Sequence, residues 1–95
     1  MKTYSVYILE CRDGSFYTGY AADVRKRFAL HLSGRGAKYT RSHKPLRIVY
    51  EEPLPDKSAA MRREWAIKHL TRQKKEALIR RGVQNGRTDQ LSDGS

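Results

Sequence analysis

Two short runs rich in β-branched and aromatic residues, Tyr4-Ser5-Val6-Tyr7-Ile8-Leu9-Glu10 and Phe16-Tyr17-Thr18-Gly19-Tyr20, are separated by Asp13-Gly14. Each has the composition of a strand, and Asp-Gly between them is a hairpin signal because both residue types tolerate a positive φ. Period-two alternation places Tyr4, Val6, Ile8 and Glu10 on one face, with Ser5, Tyr7, Leu9 and Cys11 on the other. The hairpin brings Tyr7 and Tyr17 onto adjacent strands, and the expected register pairs them.

From Asp23 the apolar spacing lengthens. Val24, Phe28 and Leu32 recur every four residues, the buried stripe of a helix that Asp23 caps and Gly34 ends. Arg27 and His31 form a second row beside it and project together. Residues 34–45 read as a basic loop with one aromatic, Tyr39. Leu46 to Glu52 reads as a third strand, stopped by Pro53 and Pro55. Asp56 or Ser58 caps a helix over about residues 57–70, with Ala60, Met61, Trp65, Ala66, Ile67 and Leu70 apolar and Trp65 expected in the core. Thr71 caps a last helix through about Arg81, with Leu78 and Ile79 inward and Gly82 as its stop. The order ββαβαα makes residues 1–83 one α+β domain, a small sheet covered by helices, and residues 84–95 a disordered polar tail.

Composition narrows the partners. The 95 residues include 20 Lys plus Arg against 10 Asp plus Glu, a net charge of +10. Eight of these bases fall between residues 25 and 47, a stretch with no acid. Such an excess suits DNA, RNA or an acidic membrane surface, while a plain solvated basic face is the ordinary alternative. Cys11 is the sole cysteine, which excludes an internal disulfide and a cysteine zinc site and suits a reducing compartment. With no signal-peptide core and no 18-residue apolar run, the expectation is a cytoplasmic protein without a membrane span.

Phenols, a guanidinium and an imidazole gathered on a basic surface suggest a phosphodiester site. Glu64 adds an acid beside an apolar arc, where a carboxylate requires a partner. The residues alone leave ordinary roles open: strand aromatics, a surface arginine, a helix-end histidine, and an ion pair of Glu64 with Arg63 or Arg35.

In order and spacing, Tyr7, Tyr17, Gly19, Arg27, His31 and Glu64 resemble the GIY-YIG nuclease domain, above all its small stand-alone bacterial members, over about residues 3–80. The resemblance implies a three-stranded antiparallel sheet flanked by helices and metal-dependent cleavage of nucleic-acid phosphodiesters. It implies catalytic roles for Tyr7, Tyr17, Arg27 and His31, and a metal-binding role for Glu64 toward one divalent ion, Mg2+ or alternatively Mn2+. Arg25, Arg35, Lys38, Tyr39, Arg41 and Lys44 are the expected nucleic-acid-binding residues, with DNA favoured over RNA. Arg27 would hold phosphate oxygens with its planar fork. Tyr17 would act as base or orient water, its pKa of about 10 brought down by Arg25, Arg27 or the metal, with His31 or Tyr7 relaying the proton. Ser5-Val6-Tyr7 stands where the family has Gly-Ile-Tyr, Thr18 replaces Ile, and the chain's only asparagine is Asn85. These departures keep a second reading in view, a non-catalytic nucleic-acid-binding domain on the same fold.

Overall fold

The computed structural model describes residues 3–86. Strands β1 (Tyr4–Cys11) and β2 (Phe16–Ala21) form the hairpin, and helix α1 (Val24–Leu32) follows. A short helix α2 (Lys38–Ser42), strand β3 (Pro45–Leu54) and helices α3 (Lys57–Lys68) and α4 (Arg72–Gly86) complete the chain. The three strands make one antiparallel sheet in the order β2-β1-β3. This is the expected α+β architecture, with α2 added where the sequence read as loop.

The turn is built as its residues dictate. Gly14 takes φ of 86°, and the Asp13 carboxylate accepts from the Ser15 amide at 3.0 Å and the Ser15 hydroxyl at 2.6 Å. Register differs from expectation by one diagonal step. Tyr7 stands opposite Gly19, and Tyr17 opposite Leu9. The two phenols still share a face, offset by two residues, with ring centroids 6.4 Å apart.

As the middle strand, β1 is buried on both faces. Val6 and Ile8 pack with Tyr50, Ala60, Ile67 and Leu78 beneath α3 and α4. Tyr7 and Leu9 pack with Ala21 and Val24 beneath α1. Burying an aliphatic side chain contributes about 1.5–3 kcal/mol, so β1 anchors both halves of the core. Pro53, expected to stop β3, lies within it; β3 is an edge strand, where a missing N–H is tolerated. Asp56 and Thr71 cap α3 and α4 as expected, each accepting a backbone N–H three residues on.

Three helical expectations are corrected. On α1 the inward position falls to His31, which is buried, while Leu32 is 57% exposed. On α3, Ala60 and Ile67 alone are fully buried; Met61 and Trp65 face solvent, Trp65 at 63% exposure with its indole stacked on His69. The reason is geometric, since Trp65 projects roughly 140° around the helix from Ala60 at 100° per residue. On α4, Gly82 is not a stop: the helix continues to Gly86. Of the tail expected from residue 84, the first three residues are helical, and residues 87–95 lie outside the described residues. Among the described residues no helix is long and apolar enough to cross a membrane.

Gly82 has a packing role instead. A Cβ there would overlap the buried ring of Tyr50. That ring cannot swing away: its hydroxyl donates to Glu52, which Arg63 on α3 grips through Nε at 3.1 and 3.2 Å. Burial and Glu52 together push the Tyr50 phenol up to about 12. Gly82→Ala should therefore lower stability by about 1–2 kcal/mol, overpacking outweighing the helix-propensity gain of roughly 1 kcal/mol. A urea melt showing equal or greater stability for the variant would contradict this packing account.

Candidate active site

The site forms at the open edge of β2, where α1 from one face of the sheet and α3 from the other converge. A cavity of about 410 Å3 there is lined by Tyr7, Tyr17, Gly19, Arg27, Lys57 and Glu64, together with Tyr4, Tyr20, Ala21 and Ala22. Four of the five residues expected to do chemistry or hold metal thus meet in one cavity, and the fifth, His31, lies directly behind Tyr7.

Local sequence explains the convergence. Tyr7 and Tyr17 sit on adjacent strands, and Gly19 faces Tyr7 across the pair. A Cβ on Gly19 would come within 2.6 Å of the Tyr7 hydroxyl and 3.1 Å of the Tyr17 ring, so only glycine leaves room for both phenols. Asp23 fixes the start of α1 by accepting the Lys26 N–H at 3.1 Å, and Arg27 follows one turn later. Glu64 lies four residues after Ala60 and three before Ile67, on the edge of the stripe that packs on the sheet.

His31 is part of a buried relay. Its Nε2 lies 2.9 Å from the Tyr7 hydroxyl and its Nδ1 2.8 Å from Thr40 Oγ1. Thr40 Oγ1 also donates to the Ala37 carbonyl at 2.9 Å, and the Ala37 N–H points at Nδ1 from 3.4 Å, so both ring nitrogens have partners inside the protein. Burial, then Arg27, holds the imidazole below its ordinary pKa and keeps it neutral at physiological pH. Gly36 permits this placement, since a Cβ there would overlap the His31 ring. The short helix α2 thus supplies Thr40 to His31 from a segment that read as loop.

The phenols depart from expectation. Burial drives Tyr7 well above the ordinary phenol range, and neighbouring Tyr17 adds to the shift while Arg27 opposes it. Tyr17 is also raised, chiefly by burial; Lys68 and Arg27 pull it down and Glu64 pushes it up. The cationic neighbourhood is present, but desolvation outweighs it, so both phenols are protonated at neutral pH.

Glu64 does not pair with Arg63 or Arg35. Arg63 is engaged by Glu52, and Glu64 Oε2 lies 3.1 Å from Lys68 Nζ, with its side chain 19% exposed. Lys57 and Lys68 were not singled out from the sequence, although they stand seven before and four after Glu64 on one helical row. Among the described residues no group of three or more His, Cys, Asp or Glu side chains is arranged to hold a metal. A single, mostly buried carboxylate fits a hard ion that keeps waters and takes further ligands from phosphate, as Mg2+ does.

The expected nucleic-acid-binding residues spread around this centre. Lys38, Tyr39 and Arg41 lie on α2, and Arg41 and Lys44 border a second cleft of about 290 Å3 behind His31. Arg25 makes an exposed ion pair with Glu51 at 3.5 Å, which contributes little. Tyr39 is built into a stack, 5.9 Å from Tyr17 and 4.1 Å from His43, whose Nδ1 meets Asp13 at 2.6 Å. Hydrogen bonds from Ser15 and His43 hold the Asp13 carboxyl well below the usual range.

Known proteins share both the sequence and the fold of this chain. UPF0213 protein BH0048 of Halalkalibacterium halodurans is 57% identical over 74 residues, covering 78% of this chain and 79% of the relative. UPF0213 protein SSP2268 of Staphylococcus saprophyticus is 49% identical over 82 residues, covering 86% of this chain and all of the relative. The solution NMR structure of UPF0213 protein BH0048 from Bacillus halodurans matches with a TM-score of 0.55 at 51% identity, covering 88% of this chain and 87% of that one. That of protein EF2693 from E. faecalis matches with a TM-score of 0.61 at 34% identity, covering 96% and 97%. The profile of the GIY-YIG catalytic domain matches residues 3–77, the span that carries every side chain of the cavity, and the chain belongs to that family.

Proposed function

We propose that this protein is a divalent-metal-dependent endonuclease of the cytoplasm that cuts phosphodiester bonds, with DNA as its substrate. The observation that carries the reading is the meeting of Tyr7, Tyr17, Arg27 and Glu64 in one cavity of about 410 Å3, backed by neutral His31. The family match supports the reaction class, and the acid-free basic stretch supports the substrate class.

In this reading Arg27 binds the non-bridging oxygens of the scissile phosphate and stabilises charge as it develops. Tyr17, half-buried beside the cavity, orients the attacking water and donates a hydrogen bond. Tyr7 accepts the water's proton while passing its own to His31 Nε2, so that no free phenolate forms. This concerted transfer suits raised phenol pKa values beside a neutral imidazole acceptor. The transfer uses the His31 tautomer that carries its proton on Nδ1, facing Thr40 Oγ1. Glu64 would hold a divalent ion, which when bound supplies charge neutralisation at the phosphate and the leaving oxygen. Lys68 must then release Glu64, and its ammonium is free to meet the phosphate backbone.

A second reading, a binding domain without catalysis, draws on the same Glu64–Lys68 ion pair, which satisfies the carboxylate without a metal. Glu64→Gln separates the two. In the nuclease reading it lowers Mg2+-dependent cleavage of plasmid and oligonucleotide substrates by about 100-fold or more. It leaves DNA affinity and, within about 4 °C, the melting temperature unchanged. Full cleavage by the variant would overturn the mechanism; wild-type protein that binds and never cuts would favour the binding domain.

Affinity should fall steeply with salt. On the order of five phosphate contacts from the basic stretch give a log–log slope of about −4 to −5 on duplex DNA. Lys38→Glu combined with Arg41→Glu should weaken binding to all sequences alike. A flat response in a salt titration would point to a protein partner instead.

A further inference from the structure

A cleft of about 290 Å3, lined by Phe16, Tyr17, Thr18, Tyr39, Lys68 and Lys75, lies next to the catalytic cavity along the edge of β2. The cavity occupies the Gly19 to Ala21 end of that edge and the cleft the Phe16 to Thr18 end, and both share Tyr17. A polymer laid along β2 meets them in sequence.

The chemistry of the cleft is bipolar. Its lining combines three aromatic rings with two lysines and includes no acid. Lys75 is half-buried and forms no ion pair among the described residues, so its ammonium is available to an anion in the cleft. The Thr18 hydroxyl is the one buried side-chain polar atom among the described residues without a hydrogen-bond partner. The Arg72 guanidinium lies 4.4 Å from the Phe16 ring centre and holds that ring in place. A ligand for this cleft is flat and apolar on one side, hydrogen-bonding at its edge and anionic at its end. The volume sits at the bottom of the range for small-molecule sites, about 300 Å3.

We infer that the cleft is a nucleotide subsite, holding the base next to the scissile phosphate against the Phe16 ring and the rim of the Tyr17–Tyr39 stack, with the adjoining phosphate between Lys68 and Lys75. The inference rests on the proposed nucleic-acid reading and adds a position at which the protein touches a base rather than the backbone alone. Lys68 links the two compartments: its ammonium lies 3.1 Å from Glu64 Oε2, and the same side chain lines the cleft.

The test compares oligothymidylate with an abasic phosphodiester strand of equal length, binding being measured by fluorescence anisotropy in EDTA across a salt series. Wild-type protein should prefer the strand with bases by about 5- to 150-fold, the range for base–aromatic contacts. Tyr39→Leu, which keeps bulk and removes the ring, should abolish most of that preference. Lys75→Gln should weaken both strands alike and reduce the log–log slope by about 0.7, one single-strand phosphate contact. Equal wild-type affinity for both strands overturns the subsite. So does full preference in Tyr39→Leu, or an unchanged slope in Lys75→Gln, which stands alone should the Tyr39 variant fail to fold. Because EDTA removes cleavage, the two proposals fail separately. A base preference without cutting in Mg2+ keeps the subsite and loses the nuclease; cutting without base preference does the reverse.

Discussion

The hydrogen bond between the Tyr7 hydroxyl and His31 Nε2 is the constraint around which the molecule is arranged. A middle strand covered on both faces leaves a polar side chain little contact with bulk water. Tyr7 is 1% exposed, so its hydroxyl must find a partner inside the protein. That partner, itself buried, needs another, and Thr40 supplies it. One unsatisfied phenol thus ties β1 to α1 and α1 to α2, and it requires glycine at positions 19 and 36. The bonds that hold the layers together are also those that would move a proton.

Helix α3 joins the two halves of the proposed site. Its inner row, Ala60 and Ile67, seats the helix on the sheet, and the next row carries Lys57, Glu64 and Lys68. Because Arg63 is occupied by the Tyr50–Glu52 pair, the helix cannot rotate to bring another carboxylate partner to Glu64. The ion pairs of Arg63 with Glu52 and of Glu64 with Lys68 start from adjacent residues of this helix, about 100° apart around it.

Most of the fold was legible because local signals were unambiguous: Asp13-Gly14 for the hairpin, and Asp23, Asp56 and Thr71 for the helix starts. The grouping of Tyr7, Tyr17, Arg27 and Glu64 was legible through family spacing rather than through any one residue. What escaped depended on tertiary packing. His31 displaced Leu32 from the core because a hydrogen-bond partner awaited the imidazole and no apolar surface awaited the leucine. Gly82 resembled a helix stop, yet it serves the ring of Tyr50. Trp65 was judged by residue type, whereas its angular position puts it in solvent. The direction of the Tyr17 shift was misjudged because charges can be counted in a sequence and desolvation cannot.

The two borders of the sheet have different fates. A three-stranded sheet always leaves two rows of unpaired backbone groups, each a template for another chain. On the β3 side, prolines at positions 45 and 53 lack the N–H that strand addition requires, which interrupts any continuous ladder. On the β2 side, the aromatic and cationic side chains of the cavity and cleft crowd the border instead. Strand addition at the open edges is therefore resisted by backbone chemistry on one side and by the bulk and charge of side chains on the other, without any dedicated protective element.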